Sequence, residues 1–512
     1  MEIWLVMFVA FAGRYVLGDP NVNHRLYDLK HTAINPNFEW CLAINIPKSQ
    51  IYSKISNSAK YDVLRFSQNN RISRFPNVIV SVNKTSDVSA AIKCAKVHNV
   101  TQIVARSGGH SYEGYSTCNG CLLIDLRNMD ELHVDAKSSM IISRPGALLG
   151  HLNNQLWTEY GIVIPSGSCA YVGLGGYVLG GGYGYLSRKL GLLADSVAEI
   201  TMVNHEGEVI VANQTTNEDL YWAHRGAGGG HFGVVTDVKI QGHRGDFEDV
   251  VHFAIHYDIN HFKEAVFWLE QNAWTAPREL GFELVVEAYN QYIEIKGYFF
   301  GTENDLQKWM SLSKIRKFAP TLMERIFKMN YVAYLLHAGF LPNNPRILRE
   351  RFPHSPKSPF KHVSAVSKRP ISFKMLNEIE QKLQELPWED IDKTRSGVFL
   401  IFAPYGGKIA ELNDTATAFP HRENVRFMMQ LGFYWSDEIQ TKQNIESVIK
   451  WQREARSILM QDFDGAYRNY ADEGLSNHLQ DYYGNNVARL KKIKKKYDPN
   501  NMFNFEQSIP TS

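Results

Sequence analysis

The order of hydrophobic and polar positions predicts strands alternating with helices from about residue 75 onward. Short apolar runs predict strands at residues 78–82, 103–106, 122–126 and 140–143. Between the first two strands, Ser86 is placed to cap a helix whose apolar residues recur on one face. Residues 161–191 contain so many glycines that we predict a loop built against a flat or anionic group. The pattern predicts an α/β or α+β beginning of the chain.

The pattern changes at about residue 250, where a second domain is predicted to begin. Residues 282–289 and 292–300 mix apolar and polar positions, which is typical of antiparallel strands with one face in water. Residues 398–403 and 427–435 are more continuously apolar and predict buried central strands. Helical spacing returns in residues 438–459 and 489–497. No internal repeat is visible in the sequence.

The composition is that of a globular protein. The chain has 512 residues, of which 44% are hydrophobic, and its formal net charge is +2. These values exclude a disordered, collagen-like or coiled-coil protein, and the charge is too small for a nucleic-acid partner. A lysine run at positions 491, 492, 494, 495 and 496 is interrupted by Leu490, Ile493 and Tyr497 at helical spacing. We therefore predict that this helix packs through its apolar face and that its lysines are solvated.

The first residues predict secretion. Residues 3–11 form an apolar run that is too short to cross a membrane, and small residues follow it, so we predict a signal peptide at residues 1–18. A buried N-terminal helix is the alternative, because no positive charge precedes the run. No later stretch is long enough to span a membrane. Glycosylation sequons, which suit an extracellular protein, occur at Asn83, Asn99, Asn213 and Asn413.

The first chemical motif is RSGGHSYEGYS at residues 106–116, directly after a predicted strand. Gly108 and Gly109 allow successive backbone N–H groups to point inward as an anion-binding nest, with His110 at its rim. Such a nest suits a pyrophosphate. A structural histidine is the alternative interpretation of His110 taken alone.

The second motif is the glycine-rich stretch at residues 165–195. Gly173, Gly175, Gly176 and residues 180–182 would allow a large planar ligand to approach the backbone closely. The stretch lacks the strand before it and the helix after it that a Rossmann dinucleotide site requires. We therefore predict a different kind of nucleotide site.

Together, the two stretches resemble the berberine bridge enzyme-like family of FAD-linked oxidases, within the vanillyl-alcohol-oxidase superfamily. The resemblance extends from Arg74 to Pro510 and includes WAHRGAGGGHFGVVT at residues 222–236 and the tail that begins YRNYADEGL. It implies an α+β protein, with a PCMH-type FAD-binding domain of two α/β subdomains and a substrate domain whose antiparallel sheet is covered by helices. The implied boundaries are 19–247 for the FAD domain (core 72–247), 248–455 for the substrate domain, and 456–512 for a segment that returns to the FAD domain.

The resemblance also implies how FAD is held. In the family, one histidine and one cysteine attach to the flavin, at its 8α methyl and at C6, and these correspond to His110 and Cys169. Imidazole and thiolate are nucleophilic enough to add to an electron-poor ring. The other implied FAD contacts are Arg106, Ser107, Gly108, Gly109, Ser111, Gly173, Gly175, Gly176, Gly182 and Val234. A valine at position 172 is similar to that of family members in which oxygen reaches the flavin.

By the same resemblance, Tyr470 takes the substrate proton, and Tyr112, Tyr183 and Gln430 are active-site residues. The sequence departs from relatives at two positions. Met428 stands where some relatives have a lysine that would lower the pKa of the tyrosine. Tyr177 stands where a histidine is more usual, which affects one flavin contact.

The five cysteines fit this scheme. With Cys169 assigned to the flavin, the resemblance implies a disulfide between Cys41 and Cys94. Cys118 and Cys121 then remain, and a local disulfide is favoured over a redox motif or a zinc site, for which we find no further ligands. No metal is expected.

The resulting hypothesis is a secreted FAD-dependent oxidase that acts on a small-molecule alcohol, such as an aromatic alcohol, a cyanohydrin or a sugar hemiacetal, and reduces molecular oxygen to hydrogen peroxide. Amine oxidation, oxidative cyclisation and a dehydrogenase that reacts poorly with oxygen are alternatives within enzymes. An inactive secreted binding glycoprotein is the alternative outside them.

Overall fold

A computed structural model describes residues 36–55, 58–245, 247–350, 358–385, 397–436 and 441–512. The predicted signal peptide, residues 1–18, lies outside these ranges. Within them, no helix is both long enough and apolar enough to cross a membrane. The described strands form a four-stranded, a five-stranded and a seven-stranded sheet.

The first subdomain is built on the four-stranded sheet, in the order β1-β2-β4-β3. Strands β2, β3 and β4 are parallel, and their side chains are almost entirely buried because a helix packs on the sheet. In chain order the elements are α1 (Pro36–Asn45), β1 (Ile51–Tyr52), α2 (Ser58–Arg65), β2 (Val78–Ser81), α3 (Thr85–Val97), β3 (Ile103–Arg106) and β4 (Leu122–Asp125). Helix α3 begins at Thr85, with Lys84 at its N-cap, so the prediction that Ser86 caps the helix is wrong by two positions.

The predicted disulfide between Cys41 and Cys94 is confirmed, and it joins α1 to α3 with a Cα–Cα distance of 5.8 Å. Cys118 and Cys121 also pair, so the predicted local disulfide is confirmed. No group of residues suited to holding a metal ion occurs in the described ranges.

The second subdomain is built on the antiparallel five-stranded sheet, in the order β5-β6-β9-β7-β8. Its elements are β5 (Leu132–Asp135), β6 (Met140–Ser143), α4 (Leu149–Tyr160), α5 (Leu174–Leu179), α6 (Ser187–Leu190), β7 (Val197–Val203), β8 (Val209–Asn213), α7 (Glu218–Ala223) and β9 (Val234–Gln241). The glycine-rich residues 161–191 were predicted as loop alone, which is wrong in part because α5 and α6 lie within them. Apolar Leu174, Val178 and Leu179 bury against the subdomain core and stabilise α5 despite its glycines.

The third unit, which we call the large-sheet domain, contains the seven-stranded sheet in the order β13-β10-β12-β11-β15-β16-β14. Its strands are β10 (Val250–Asp258), β11 (Leu280–Glu287), β12 (Tyr292–Phe299), β13 (Thr321–Met329), β14 (Phe360–Ser367), β15 (Gly397–Pro404) and β16 (Phe427–Tyr434). Its helices are α8 (Phe262–Asn272), α9 (Glu303–Leu312), α10 (Tyr331–Ala338), α11 (Phe373–Gln384) and α12 (Lys442–Leu459). All the pairings that the structure gives for this sheet are antiparallel.

The two faces of this sheet differ. One face is apolar and packs under α8, α9, α11 and α12. The other face carries Glu283, Glu294, Lys296, His362 and Gln430 and meets the glycine-rich loops. Strands β15 and β16 are central and buried, as predicted. The prediction that β11 and β12 have one face in water is wrong, because the face with alternating polar residues is covered by the rest of the protein.

The chain continues from the large-sheet domain back to the first two subdomains. Helix α12 runs through the predicted boundary at residue 455, and Leu459 and Phe463 still pack in the large-sheet core. The returning segment therefore begins after Phe463. It contains α13 (His478–Tyr483) and α14 (Val487–Tyr497), and Leu490, Ile493 and Tyr497 bury against the second subdomain as predicted.

One lysine of α14 contradicts the prediction of a solvated run. Lys494 is 0% exposed, and its Nζ donates to Asp498 at 2.6 Å and to the backbone carbonyls of His231 and Phe503 at 2.7 Å each. Asp498 also accepts from the backbone N–H of Phe503 at 2.9 Å. We call Lys494, Asp498 and these two carbonyls the Lys494 cluster. A buried ammonium is tolerated because each of its three hydrogens has a partner.

Candidate active site

The predicted site residues gather in a recess between the glycine-rich loops and the polar face of the large sheet. His110, Tyr112, Cys169 and Tyr470 come from three places in the sequence, and each residue is partly accessible. Burial nevertheless shifts the pKa of each of them: it lowers that of His110 and raises those of the other three. Groups with partial access and strong desolvation line an internal recess rather than the outer surface.

Of the two predicted attachment points, Cys169 lies close to Tyr112, and His110 lies two residues before Tyr112 in the chain. Burial lowers the pKa of His110 to about 4, so the imidazole is neutral near pH 7 and keeps a nucleophilic nitrogen lone pair. Cys169 is a free thiol, and burial raises its pKa. The protein surroundings therefore favour the neutral thiol of Cys169. A nucleophilic role requires the thiolate, which these side chains do not stabilise. Charge on Cys169 is felt by Tyr112 and Tyr434, so the thiol lies close to the aromatic part of the recess.

Packing within the protein requires several glycines of the two motifs. A Cβ at Gly108 would collide with the backbone of Gly173, and a Cβ at Gly175 would come within 2.9 Å of Pro145. The two glycine-rich loops therefore touch through their backbones. Gly109 has φ +76°, which favours glycine, and a Cβ at Gly176 would meet nothing within 4 Å.

The recess fits a flat cofactor. Gly176 is exposed although the residues beside it are buried, so the backbone there faces open space. The neutral imidazole of His110 lies two residues before Tyr112, and the free thiol of Cys169 lies close to the same tyrosine. This donor set suits an electron-poor ring such as the FAD isoalloxazine, with His110 and Cys169 as the residues that would hold it.

Other predicted FAD contacts have structural partners. Arg106 is 1% exposed and donates to Asp125 at 2.8 Å, so a direct ligand contact would require it to leave this ion pair. Ser107 donates to the carbonyl of Pro145, and Ser111 accepts from the backbone N–H of Tyr115 at 2.9 Å. Val234 is buried at the start of β9, and Gly182 has φ +81°.

The predicted catalytic residues Tyr112, Tyr470 and Gln430 are brought together. The rings of Tyr112 and Tyr470 stack with centroids 5.2 Å apart and an interplanar angle of 9°. Gln430, on β16, donates from Nε2 to the hydroxyl of Tyr112 at 3.1 Å. The hydroxyl of Tyr470 has no hydrogen-bond partner in the described ranges, which leaves it available to a ligand.

Tyr183 and Val172 occupy more constrained positions. Tyr183 stacks on Tyr405 with centroids 5.0 Å apart, and its hydroxyl donates to the carbonyl of Pro404 at 3.0 Å. Its hydroxyl is therefore already engaged. Val172 is half-buried against the core of the second subdomain, and its carbonyl accepts from the backbone N–H of Leu149 at 2.9 Å. Tyr177, which replaces the more usual histidine, donates its hydroxyl to the carbonyl of Tyr183 at 2.9 Å.

The electrostatics of Tyr470 agree with the absence of a lysine at position 428. Burial is the main cause that raises its pKa, and the nearby Tyr467, Tyr183, Glu283 and Tyr434 raise it further. Met428 is 2% exposed and adds no charge. In the protein alone, Tyr470 is therefore a protonated phenol at neutral pH.

A cluster of charged residues whose pairing no sequence motif marks holds these tyrosines in place. Lys361, on β14, is 3% exposed and pairs with Glu113 and with Asp472, the latter at 2.7 Å. Arg71 pairs with Glu113 and, at 3.1 Å, with Glu473. We call these five residues the Lys361 cluster. Because Glu113 follows Tyr112 and Asp472 lies two residues after Tyr470, the cluster fixes the segments that carry the stacked rings.

Two further residues of the recess were missed. His362 follows Lys361 and lies within 2.9 Å of Gln430 through its Nδ1. Glu283, on β11, accepts from the hydroxyl of Tyr185 at 2.9 Å and lies 3.8 Å from Lys296. No motif marks either residue, but the polar positions of β11 and β14 were the available signal, since a polar residue on a buried strand needs a partner.

Comparisons with known proteins agree with this geometry. A family model described as an FAD binding domain matches residues 76–213, and one described as berberine and berberine like matches residues 466–510. Berberine bridge enzyme-like 18 of Arabidopsis thaliana is 30% identical over 93% of this chain and 92% of its own length. Carbohydrate oxidase of Microdochium nivale is 28% identical over 86% of this chain and 89% of its own length.

A solved structure supports the same assignment. Chitooligosaccharide oxidase superposes with a TM-score of 0.83 and 25% identity, covering 93% of this chain and 99% of that protein. The predicted fold, a PCMH-type FAD-binding domain joined to an antiparallel sheet covered by helices, is confirmed. The chain belongs to the berberine bridge enzyme-like family and is an FAD-linked oxidoreductase.

Proposed function

We propose that the protein is a secreted oxidase that carries FAD on both His110 and Cys169, oxidises an alcohol carbon of a small molecule and uses molecular oxygen as electron acceptor. The observation that carries the proposal is the recess itself. It contains a stacked pair of tyrosines with a glutamine, a free thiol close to one of those tyrosines, and a neutral imidazole two residues before it in the chain. The thiol and the imidazole suit a covalently held flavin, and the tyrosines with the glutamine suit a hydroxyl group.

The protein's own residues would orient the substrate and receive its proton. Oxidation of an alcohol to a carbonyl removes two electrons and two protons, and bound FAD supplies the acceptor for the hydride. The hydroxyl of Tyr112 would donate to the oxygen of the reacting hydroxyl, and Oη of Tyr470 would receive its proton. The amide carbonyl of Gln430 would accept from another hydroxyl of the substrate. Since Tyr470 must first be ionised, we expect turnover to rise with pH through the neutral and alkaline range.

The substrate class follows from the same residues and from the relatives. Two similar proteins are a carbohydrate oxidase and a chitooligosaccharide oxidase. A sugar hemiacetal, an aromatic alcohol and a cyanohydrin all offer a hydroxyl on a carbon that can lose hydride. Val172 is the residue that we expect to leave room for oxygen, because a small change of side-chain volume alters access in a tightly packed site.

Secretion and glycosylation belong to the proposal. Asn83, Asn99 and Asn413 are exposed, and Asn213 is half-buried, with its amide donating to Glu199 at 2.8 Å. We expect glycans at the three exposed sequons. Digestion of secreted protein with peptide N-glycosidase should lower its apparent mass, and no shift would contradict this part of the proposal.

The test of the activity compares the native protein with one double variant. After precipitation with acid, the protein should stay yellow, and it should lose its colour only in the double variant His110→Ala, Cys169→Ala. A screen of alcohols should bleach the flavin under nitrogen and release one hydrogen peroxide per carbonyl in air. Reduction of an artificial acceptor without peroxide would indicate a dehydrogenase instead. Bleaching by amines alone would indicate amine oxidation, and bleaching by no compound would indicate a binding protein.

A further inference from the structure

We propose that His362 is a positioning residue, which fixes the side-chain amide of Gln430 so that the amide carbonyl faces the substrate. The inference rests on the proposed function, because it assumes that Gln430 contacts a substrate hydroxyl. Neither sequence motifs nor the resemblance assigns a role to His362. It lies on β14, one residue after Lys361 and on the face of the sheet that meets the glycine-rich loops.

The hydrogen bonds of Gln430 define the orientation of its amide. Its Nε2 lies 3.1 Å from the hydroxyl of Tyr112 and 2.9 Å from Nδ1 of His362. An amide nitrogen carries two hydrogens, and these two partners use both of them. The carbonyl oxygen has no partner in the described part of the chain and is not among its enclosed polar atoms, so it is the part of the amide that a ligand can reach.

The protonation state of His362 makes it the acceptor in this pair. The ring is 1% exposed, and burial together with the neighbouring charge of Lys361 lowers its pKa to about 3. A neutral imidazole has one nitrogen that accepts and one that donates. If Nδ1 accepts from Gln430, the hydrogen is on Nε2, and the opposite amide orientation is disfavoured.

The other ring nitrogen of His362, Nε2, makes a histidine costly at this position. Nε2 is buried and has no hydrogen-bond partner in the described residues. Three rings surround the imidazole almost at right angles, those of Tyr112, Phe399 and Tyr434, with centroids 4.8, 5.4 and 4.7 Å from the imidazole centroid. An aromatic face can accept only a weak hydrogen bond, so a phenylalanine would fill this place at a lower desolvation cost. The histidine is therefore accounted for by Nδ1, which holds the amide.

The register of the sheet places His362 within hydrogen-bond distance of Gln430. On the paired strands β14 and β16, Ser364 faces Gln430 and His362 faces Gly432, so His362 and Gln430 are diagonal neighbours on one face. A Cβ at position 432 would collide with the ring of Phe399, which therefore lies over Gly432 and closes the cage around the imidazole. Asn69 fixes the start of β14 by donating to the carbonyl groups of Tyr112 and Phe360 at 2.8 and 3.0 Å.

Three variants of the holoenzyme separate positioning from packing. His362→Phe keeps an aromatic ring and removes the acceptor, and His362→Asn keeps an acceptor oxygen about as far from the backbone as Nδ1. Gln430→Leu removes the amide. We expect His362→Phe to lower kcat about 10- to 100-fold, as a misplaced contact does, and His362→Asn to remain within about 3-fold of the native enzyme.

A double-mutant cycle tests whether His362 acts through Gln430. If His362 acts only through Gln430, the double variant His362→Phe, Gln430→Leu should be no slower than Gln430→Leu alone. Independent losses that multiply in the double variant would overturn the proposal, as would equal losses in His362→Phe and His362→Asn. Thermal melting of each variant shows whether a loss of turnover comes from unfolding.

A second readout does not depend on activity. Crystal structures of the native enzyme and of His362→Phe should show the Gln430 amide turned away from Tyr112 in the variant only, and an unchanged amide would overturn the proposal. If the native enzyme oxidised no hydroxyl compound, the proposed function would fail, and the crystal structures would still decide whether His362 positions the amide.

Discussion

Two lysines, Lys494 and Lys361, are buried, and their ammonium groups are paired with different kinds of partner. Lys494 places its charge against one carboxylate and two backbone carbonyls, all within the returning segment and the loop of His231. Lys361 places its charge against two carboxylates, Glu113 and Asp472, that belong to other parts of the fold. The first arrangement stabilises the end of the chain. The second joins the large-sheet domain to the segments that carry Tyr112 and Tyr470.

The comparison shows how a buried charge becomes part of an active site without touching a ligand. The contacts of Lys494 are with residues for which we propose no role in the reaction. The contacts of Lys361 adjoin the stacked tyrosines, and Lys361 itself precedes His362. A change at either lysine should lower stability. Only a change at Lys361 should also alter the geometry of the proposed reaction.

The largest expected effect is that of Lys361→Met. It leaves the buried carboxylates of Glu113 and Asp472 without their lysine, which typically costs about 3–5 kcal/mol. It also frees the segments of Tyr112 and Tyr470, so kcat per folded holoenzyme should fall by about 10-fold or more. Urea unfolding and steady-state turnover measure the two effects. Normal turnover in a destabilised variant would show that the cluster only supports the fold.

Lys494→Met is the matched comparison. It leaves Asp498 buried and unpaired, and we expect a loss of about 3 kcal/mol in the free energy of unfolding. Since none of the Lys494 partners adjoins the tyrosine stack, kcat per folded holoenzyme should stay within about 2-fold of the native value. A loss of turnover as large as that of Lys361→Met would remove the distinction between the two lysines.

These lysines also mark the limit of what the sequence predicts. Strands 103–106 and 140–143 were predicted with the bounds that the structure gives, because short apolar runs report burial directly. The disulfide of Cys41 and the meeting of Tyr112, Tyr470 and Gln430 followed from the family resemblance.

The partners of Lys361 and Lys494 could not be predicted from periodicity. Glu113 lies 248 positions before Lys361, and the carbonyl of His231 lies 263 positions before Lys494. Local patterns report which face of an element is apolar, but they carry no information on which distant carboxylate or carbonyl will meet a charge. The burial of Lys361 and Lys494 depends on how distant elements pack together, so it could not be predicted from the sequence.

Glu287 provides a smaller test of how much a lysine contact contributes to the stability of a buried carboxylate. No ion pair is formed by Glu287 in the part of the chain that the structure describes, and burial raises its pKa from 4.5 to about 7. The folded state then binds more protons than the unfolded state between these values, so this group lowers stability as pH rises from 4.5 through 7. Because the side chain is only half-buried, solvent reduces the effect, and we expect Glu287→Gln to be more stable than the native protein by about 2 kcal/mol at pH 8 and equal to it below pH 4.5.

Glu294 is the control for that prediction, with the opposite sign. Burial alone would raise its pKa, but Lys296 at 2.9 Å and His256 lower it to about 2. Its contribution to stability is present above pH 4.5 and is lost as pH falls toward 2. Glu294→Gln should therefore destabilise the protein at pH 7, where urea unfolding is measured for both variants. Equal pH profiles for the two would contradict the role assigned to lysine contacts.

The smallest expected effect comes from the neighbour of Lys494. Lys495 lies on the same helix, is exposed and forms no ion pair within the described ranges. Lys495→Met makes the same chemical change one position along, so it isolates burial from residue type. Because the ammonium is solvated in both the folded and the unfolded state, the free energy of unfolding should change by no more than about 0.5 kcal/mol. A loss comparable to that of Lys494→Met would mean that the lysine run stabilises α14 collectively, and burial of a single lysine would no longer explain the difference.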